Sequence, residues 1–526
     1  MKGHDSNSSA AMPLPAVPVR AKTDGQAQFR CALIAMHFRE SGMKRRSSPR
    51  WLSRFSLSLH SNHVAVRGWR RLVLAAARIA TWAVLAPPRA GLRAWSRLRP
   101  VQQLVAGFAL YTTIGTMLLC LPLAQRGPHH LIDHLFSAAS AISTTGLTTI
   151  STVDSYTFLG QFVLVAMFQI GGVGFMTLSS MVILARGKPL SEPRVDVLKV
   201  GFAVPHYFVM QHFLIHVVVF TTIIETLGAA ALYGRFAALG FEHPLWRAVF
   251  HSVSAFATAG FSLQNDSLES LRSDWLINVI IGLLSYLGAI GFIVVQDVWY
   301  SIKLRERLLT FTSKVILSLT AAVFVAGTLV LYFGEPSVSE LPAPQRLLAS
   351  AFQVMTASST AGFNTIPIGS MSTAGLVVIM VAMLIGASPS GTGGGIKTTT
   401  VSAILGNLVS VLRGSERVVW LGHEIPLVRV FSAFAAASLY LIGLCAGVLL
   451  LCFTETKPFL PVVFEAASAI GTVGLSMGIT PELTFAGKMI VIVLMFAGRC
   501  GPLTIGLALL RPHDGAGRIR TDDLAV

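Results

Sequence analysis

Apolar residues run along this chain in long blocks separated by short polar stretches. The blocks extend over Val101 to Leu123, Phe158 to Leu184, Phe208 to Leu232, Trp275 to Tyr300, Val315 to Phe333, Gly375 to Ala387, Val430 to Phe453 and Ala486 to Leu510. Most exceed the roughly 20 residues a helix needs to cross a bilayer. The pattern predicts an all-α integral membrane protein with eight transmembrane helices.

Between these blocks lie four shorter segments that match one another. Residues 136–148 read FSAASAISTTGLT, 250–262 FHSVSAFATAGFS, 352–364 FQVMTASSTAGFN and 464–476 FEAASAIGTVGLS. Each sits between two apolar blocks, so the chain reads as four copies of one unit: helix, short pore segment ending in TxG, helix. The units are predicted at 97–199, 200–308, 309–428 and 429–511. A ten-residue apolar segment is too short to span and is better read as re-entrant. The glycine after it permits positive backbone dihedrals, which lets successive carbonyls face one axis. Four such strands around an axis make a ring of oxygens able to replace a cation's hydration shell. The candidate filter is therefore Thr144, Thr145, Gly146 and Leu147; Thr258, Ala259, Gly260 and Phe261; Thr360, Ala361, Gly362 and Phe363; and Thr472, Val473, Gly474 and Leu475. The competing reading of a single TxG is a helix cap; four copies in register favour the ring. The expected cargo is a cation, held by backbone carbonyls.

Each second helix carries a patch of small residues past its filter glycine: QIGGVGF (169–175), YLGAIGF (286–292), IGASPSGTGGGIKTTT (385–400) and FAGRCGPLT (496–504). Close helix packing explains the first two. The third contains Pro389, Gly391, Gly393, Gly394 and Gly395, which cannot sustain a helix. Irregular backbone at membrane depth is tolerated only where it lines water or is buried in protein, so 388–400 is expected to interrupt the span, and a helix broken at midplane points to a transport site or a gate. Arg499 is a charge inside an apolar block and a functional residue by that cost alone. Lys397 is either a second such charge or a side chain snorkelling to the interface.

Charge changes the picture in two places. The formal net charge of +17 resembles a nucleic-acid signal, but residues 1–100 hold 18 Lys and Arg against 3 acids, leaving the remainder nearly balanced. The extension 1–96 reads as a disordered arm, a lipid-binding or targeting-like segment, or a start placed upstream of a later methionine such as Met43; the tail 512–526 carries no signal. The inter-repeat loops 186–199, 303–314 and 413–429 contain 11 Lys and Arg, against five in the loops that lead into the pore segments. The positive-inside rule then puts those inter-repeat loops and both termini in the cytoplasm.

The four-fold plan, STAGFNT in the third copy, SPSGTGGGIKTTT after it and GRCGPLT in the fourth together resemble the Trk/Ktr/HKT superfamily of potassium transporters. GRxGPLT and QIGGVGF are most similar to the bacterial Ktr membrane subunit. The resemblance spans about Leu98 to Leu510. It implies K+ uptake across the bacterial cytoplasmic membrane, a homodimer with one pore per protomer, and 388–400 as an intramembrane gating loop with Arg499 beneath the filter. It further implies a cytosolic nucleotide-binding RCK ring as regulator and Na+ as a coupling or activating ion, with no tightly bound cofactor.

Three other readings have less support. GTGGGIKT lacks the Gly directly before Lys that a Walker loop requires, so nucleotide chemistry and an enzyme are not expected. HHLIDH, with His130, Asp133 and His134, lacks further metal ligands and is expected to solvate the entry to the first pore helix. Glu465 and His251 are expected to meet water at the pore-helix starts. A secondary transporter of Na+/H+ or of an organic solute would suit broken helices, yet the main intramembrane carboxylate is Glu225 alone.

Overall fold

The computed structural model describes residues 98–174, 210–304 and 309–509, with residues 177, 180, 192, 195 and 198 between. All belong to the compact unit Val73–Val526. The extension 1–96, the tail 512–526 and most of the basic loop 186–199 lie outside the described residues.

Each repeat contributes an outer helix, a short pore helix and an inner helix. Repeat 1 has α1 (Pro100–Leu119), α2 (Leu131–Ser143) and α3 (Phe158–Val173). Repeat 2 has α4 (Met210–Ala238), α5 (Pro244–Phe256) and an inner helix in two pieces, α6 (Trp275–Ala289) and α7 (Phe292–Leu304). Repeat 3 has α8 (Phe311–Gly334), α9 (Ala343–Ser358), α10 (Thr373–Leu384) and α11 (Thr398–Leu412). Repeat 4 has α12 (Leu427–Thr454), α13 (Phe459–Gly471), α14 (Phe485–Cys500) and α15 (Pro502–Leu509). The inner helices begin where a short polar side chain can satisfy the first free N–H groups: Thr157, Asp274, Ser372 and Thr484 cap α3, α6, α10 and α14.

The repeats close on themselves. Each inner helix packs on the pore helix of the next repeat: α3 on α5, α6 on α9, α10 on α13, and α14 back on α2. The last contact is pinned by Lys488 of α14, whose Nζ lies 2.7 Å from the Asp133 carboxylate of α2. At the C-terminal ends of the outer helices α8 and α12, Glu335 and Glu455 play matching parts. Glu335 accepts from the backbone N–H (3.0 Å) and hydroxyl (2.7 Å) of Ser372, and Glu455 accepts from the hydroxyl of Thr484 (2.6 Å). Each carboxylate thus ties the end of an outer helix to the start of its own inner helix.

Among the described residues three helices are long and apolar enough to cross a membrane, Phe213–Ala238, Phe311–Gly334 and Leu427–Thr454, or up to five if each bent pair counts as one span. The hydrophobic pattern reads 275–300 and 486–510 as single spans. Instead α6 and α7 meet at 95°, and α14 and α15 at 91°. The cause is a glycine at each break, Gly291 (φ 92°) and Gly501 (φ 82°), in backbone space that L side chains rarely enter. The small-residue patch of repeat 2 is therefore a break as well as a packing surface. α10 stops at Leu384, so the third inner helix is interrupted where Pro389 and its glycines predicted.

Candidate ion pathway

Each pore helix ends in the same closing turn. The first residue of TxG adopts a left-handed conformation in every copy: Thr144 (φ 56°), Thr258 (φ 53°), Thr360 (φ 57°) and Thr472 (φ 50°). Its N–H donates to the carbonyl three residues back, and the next N–H donates to the carbonyl five back, as in Thr144 to Ala141 (3.1 Å) and Thr145 to Ser140 (2.8 Å). This is the paired-bond helix terminus in which glycine usually occupies the left-handed position. A β-branched residue there costs roughly 1–2 kcal/mol, and the sequence pattern carried no sign of it. The helix terminus is thus closed by the threonine and not by the glycine, which leaves the glycine free to approach its neighbours.

Those approaches form a ring. A Cβ built on Gly146 would lie 2.6 Å from the Ala259 carbonyl oxygen and 2.9 Å from Gly260 Cα. One on Gly260 would lie 2.8 Å from the Ala361 oxygen and 3.1 Å from Gly362 Cα. One on Gly362 would collide with the Val473 carbonyl, and one on Gly474 with that of Thr145, which closes the circle. All four glycines have positive φ, from 68° at Gly260 to 96° at Gly146. The flanking side chains turn away into the core: Leu147, Phe261, Phe363 and Leu475 are buried, as are Thr145, Ala259, Ala361 and Val473. Backbone meets backbone at the centre. The four pore helices converge on the ring with their C-terminal, partially negative ends.

Above the ring opens a cavity of 540 Å³ lined by the four glycines and by Asp154, Asp266 and Glu269. Hydrogen bonds from Asn265 (2.8 Å) and Ser151 (2.9 Å) hold the Asp154 carboxyl below its ordinary range. Burial, with Asp266 nearby, pushes the Glu269 carboxyl up, although it accepts from Asn364 Nδ2 at 2.7 Å.

Beneath the ring sits the loop 388–400. Thr392 lies under repeats 1 and 2: the Thr144 hydroxyl donates to its carbonyl (3.2 Å), and its own hydroxyl is 3.2 Å from that of Thr258. Gly393 abuts the Thr360 hydroxyl and Gly394 that of Thr472, closely enough that neither could carry a Cβ. The loop therefore touches all four left-handed threonines. Gly391 is packed on the Ala289 carbonyl, and Gly395 (φ 72°) on Gly386, where the loop folds back on itself.

Two cations hold this loop. Arg499 donates to the carbonyls of Thr392 and Gly171, with Gly172 O at 3.3 Å. Lys397 donates to Gly393 O at 2.7 Å, with Gly394 O at 3.4 Å, so it does not snorkel away. Both line a second cavity of 390 Å³ on the far side of the loop, whose described lining contains no carboxylate.

The remaining candidates lie elsewhere. Glu465 is fully buried and accepts from the hydroxyls of Ser476 (2.8 Å) and Thr480, and buried His251 lies between the Arg247 carbonyl (2.8 Å) and the Ser262 hydroxyl (3.1 Å). Neither meets water at a pore-helix start. Both instead brace the strand that follows the TxG segment, an unfavourable burial offset by paired donors and acceptors. His134 is likewise buried against Tyr156 (3.2 Å) and Gln125 (3.0 Å), and Asp133 is paired with Lys488, so neither solvates an entry. Glu225 accepts from Gln169 (3.0 Å) between α3 and α4 and lines neither cavity.

The family described as TrkH, cation transport protein, matches residues 99–515. The chain is 38% identical over 419 residues to the Ktr system potassium uptake protein B of Bacillus subtilis (strain 168), covering 78% of this chain and 93% of that protein. It is 34% identical over 427 residues to the potassium/sodium uptake protein NtpJ of Enterococcus hirae, covering 80% and 94%. The crystal structure of the potassium transporter TrkH from Vibrio parahaemolyticus shares the fold, with a TM-score of 0.62 at 19% identity over 78% of this chain and 84% of that one. With matches that run through all four repeats, the chain belongs to the TrkH family of cation transport proteins, a family of ion transporters and not of enzymes.

Proposed function

We propose that this chain carries potassium ions inward across a bacterial cytoplasmic membrane, with the four-glycine ring as filter and the loop 388–400 as gate. The closed ring is the observation that carries the reading. Four strands meet there with no side chain between them, so their carbonyls are the groups available to replace an ion's water. The helix dipoles aimed at the ring and the acidic cavity above it favour a cation over an anion. Potassium is the cation named in each of the relatives described, and sodium appears beside it in the Enterococcus hirae protein.

In this reading Thr392, Gly393 and Gly394 close the exit from the ring, while Arg499 and Lys397 hold them there. In the same reading eight spans leave both termini on one side, and the positive charge of the inter-repeat loops supports the cytoplasmic side. Two copies form a homodimer with one pore each, and a cytosolic nucleotide-binding RCK ring, the kind of partner a Ktr system implies, acts on the gate. Na+ acts as coupling or activating ion.

The test is Rb+ uptake into proteoliposomes containing the purified chain, competed separately by K+ and Na+, with Gly362→Ser beside it. Uptake blocked by K+ and lost in the variant is the expected result. Uptake indifferent to Gly362 would remove the filter assignment.

A further inference from the structure

The loop is held from one side by cations and from the other by a helix with no assigned role. The first half of the loop lies on the break of the second inner helix. Ser388 N–H donates to Ala289 O (3.0 Å), and Thr392 N–H donates to Gly288 O (3.0 Å). Ser390 then caps α7 from outside its own repeat: its hydroxyl accepts from Ile293 N–H (3.1 Å) and its carbonyl from Phe292 N–H (3.4 Å). These are N–H groups that a helix start leaves without an internal partner. Ser390 itself is left-handed (φ 59°).

The contact has no slack. A Cβ on Gly291 would run into the Pro389 carbonyl and lie 3.2 Å from Gly391 N, and one on Gly391 would lie 2.5 Å from Ala289 O. The glycines that end α3 and α14 are open by comparison: a Cβ on Gly174 or Gly501 would meet only a threonine hydroxyl, at 3.7 Å and 3.5 Å. Of these three glycines only Gly291 is packed on the loop. The other part of α7 is also held. Asp297 accepts from the hydroxyls of Thr310 and Ser313 (2.5 Å for Ser313), the residues that start α8.

We infer that α7 is a lever that positions the gate, with Ser390 as its joint to the loop and Asp297 as its anchor on the third repeat. A shift of α7 relative to α8 moves Ser390, because the backbone contact at Gly291 cannot absorb it, and Ser390 is two residues from Thr392 under the filter. Ser390 and Asp297 are positioning residues: neither lies at the ring. The inference rests on the pore reading and names how its gate is set.

A double-mutant cycle tests it in the full-length chain, read as Rb+ uptake with K+ competition. Asp297→Ala frees the anchor and should change basal uptake about fivefold, within the range seen for coupled residues. In a Ser390→Ala background the same substitution should change uptake less than about twofold, because the joint is already cut. Asp297→Glu, which keeps the acceptor, should restore most of the wild-type rate. Glu455→Gln, a helix clasp that does not touch α7, should be additive with Ser390→Ala. Unaltered K+ competition in every variant shows that the filter has folded. Equal fold-changes for Asp297→Ala with and without Ser390, or none in either, would overturn the lever while leaving the pore intact. Wild-type uptake that survives Gly362→Ser would overturn the pore reading and the lever with it.

Discussion

The ring and the loop beneath it obey different symmetries. At the ring each repeat supplies the same left-handed threonine, the same positive-φ glycine and the same contact with its neighbour. At the loop one repeat supplies the backbone, another the arginine, and a third the helix break on which it lies. An ion on an axis meets equivalent carbonyls only if four strands agree. A gate needs one element that moves while the rest stay, and four equal loops could not fill one opening. In the proposed pore, repetition serves selection and its breakdown serves control.

The sharpest way to break the comparison is to damage the ring from two sides. Gly146→Ala and Gly362→Ala each place a methyl group against a neighbouring carbonyl, one in repeat 1 and one in repeat 3. Distorting the conducting geometry by ~3 kcal/mol corresponds to a ~100-fold loss of rate, and the loss should be similar for the two. K+-competed Rb+ uptake measures it. A large loss in one and a wild-type rate in the other would show that the ring is not functionally four-fold.

The loop should respond in the opposite direction. Arg499→Ala removes donors from the Thr392 and Gly171 carbonyls. Charged hydrogen bonds are worth about 1.5–3 kcal/mol each, so freeing the loop should raise basal uptake roughly tenfold or more, with K+ over Na+ competition unchanged. Arg499→Lys keeps the charge without the fork and should fall between. If Arg499→Ala lowered uptake, the arginine would be an element of the conducting path and not a latch.

The same division explains what the sequence made legible. Repetition is visible in a linear string, so the four TxG segments and their glycines could be read before any coordinates. Pro389 with its run of glycines marked the broken helix by local propensity alone, and Arg499 was conspicuous by its cost in an apolar block. What stayed hidden depends on distant partners. Glu465 looks solvated until Ser476 and Thr480 are folded against it, and Glu335 looks like loop polarity until Ser372, 37 residues on, arrives. The near-right-angle bends at Gly291 and Gly501 are silent in hydropathy because apolar residues flank both sides of each break. The left-handed threonines were hidden because their type argues against that conformation; the helix-closing bonds override it.

The cavity above the ring sharpens the comparison at its mildest point, since the three carboxylates in its described lining come from repeats 1 and 2. Asp154, held low by its hydrogen bonds, stays ionised as the outer pH falls. Glu269, pushed up by burial, takes a proton first, so its charge is the one lost on mild acidification. Surface potential concentrates a cation at such a mouth, an effect that salt screens. Half-saturation for K+ should therefore rise by about twofold at low ionic strength as the outer pH drops through the raised Glu269 range. Glu269→Gln should show the higher value already at neutral pH and lose that part of the pH dependence, with maximal uptake unchanged because the ring is untouched. A fall in maximal uptake instead would mean that Glu269 acts through Asn364, which it holds at 2.7 Å directly after Phe363, and that the asymmetry of the mouth reaches down into the ring itself.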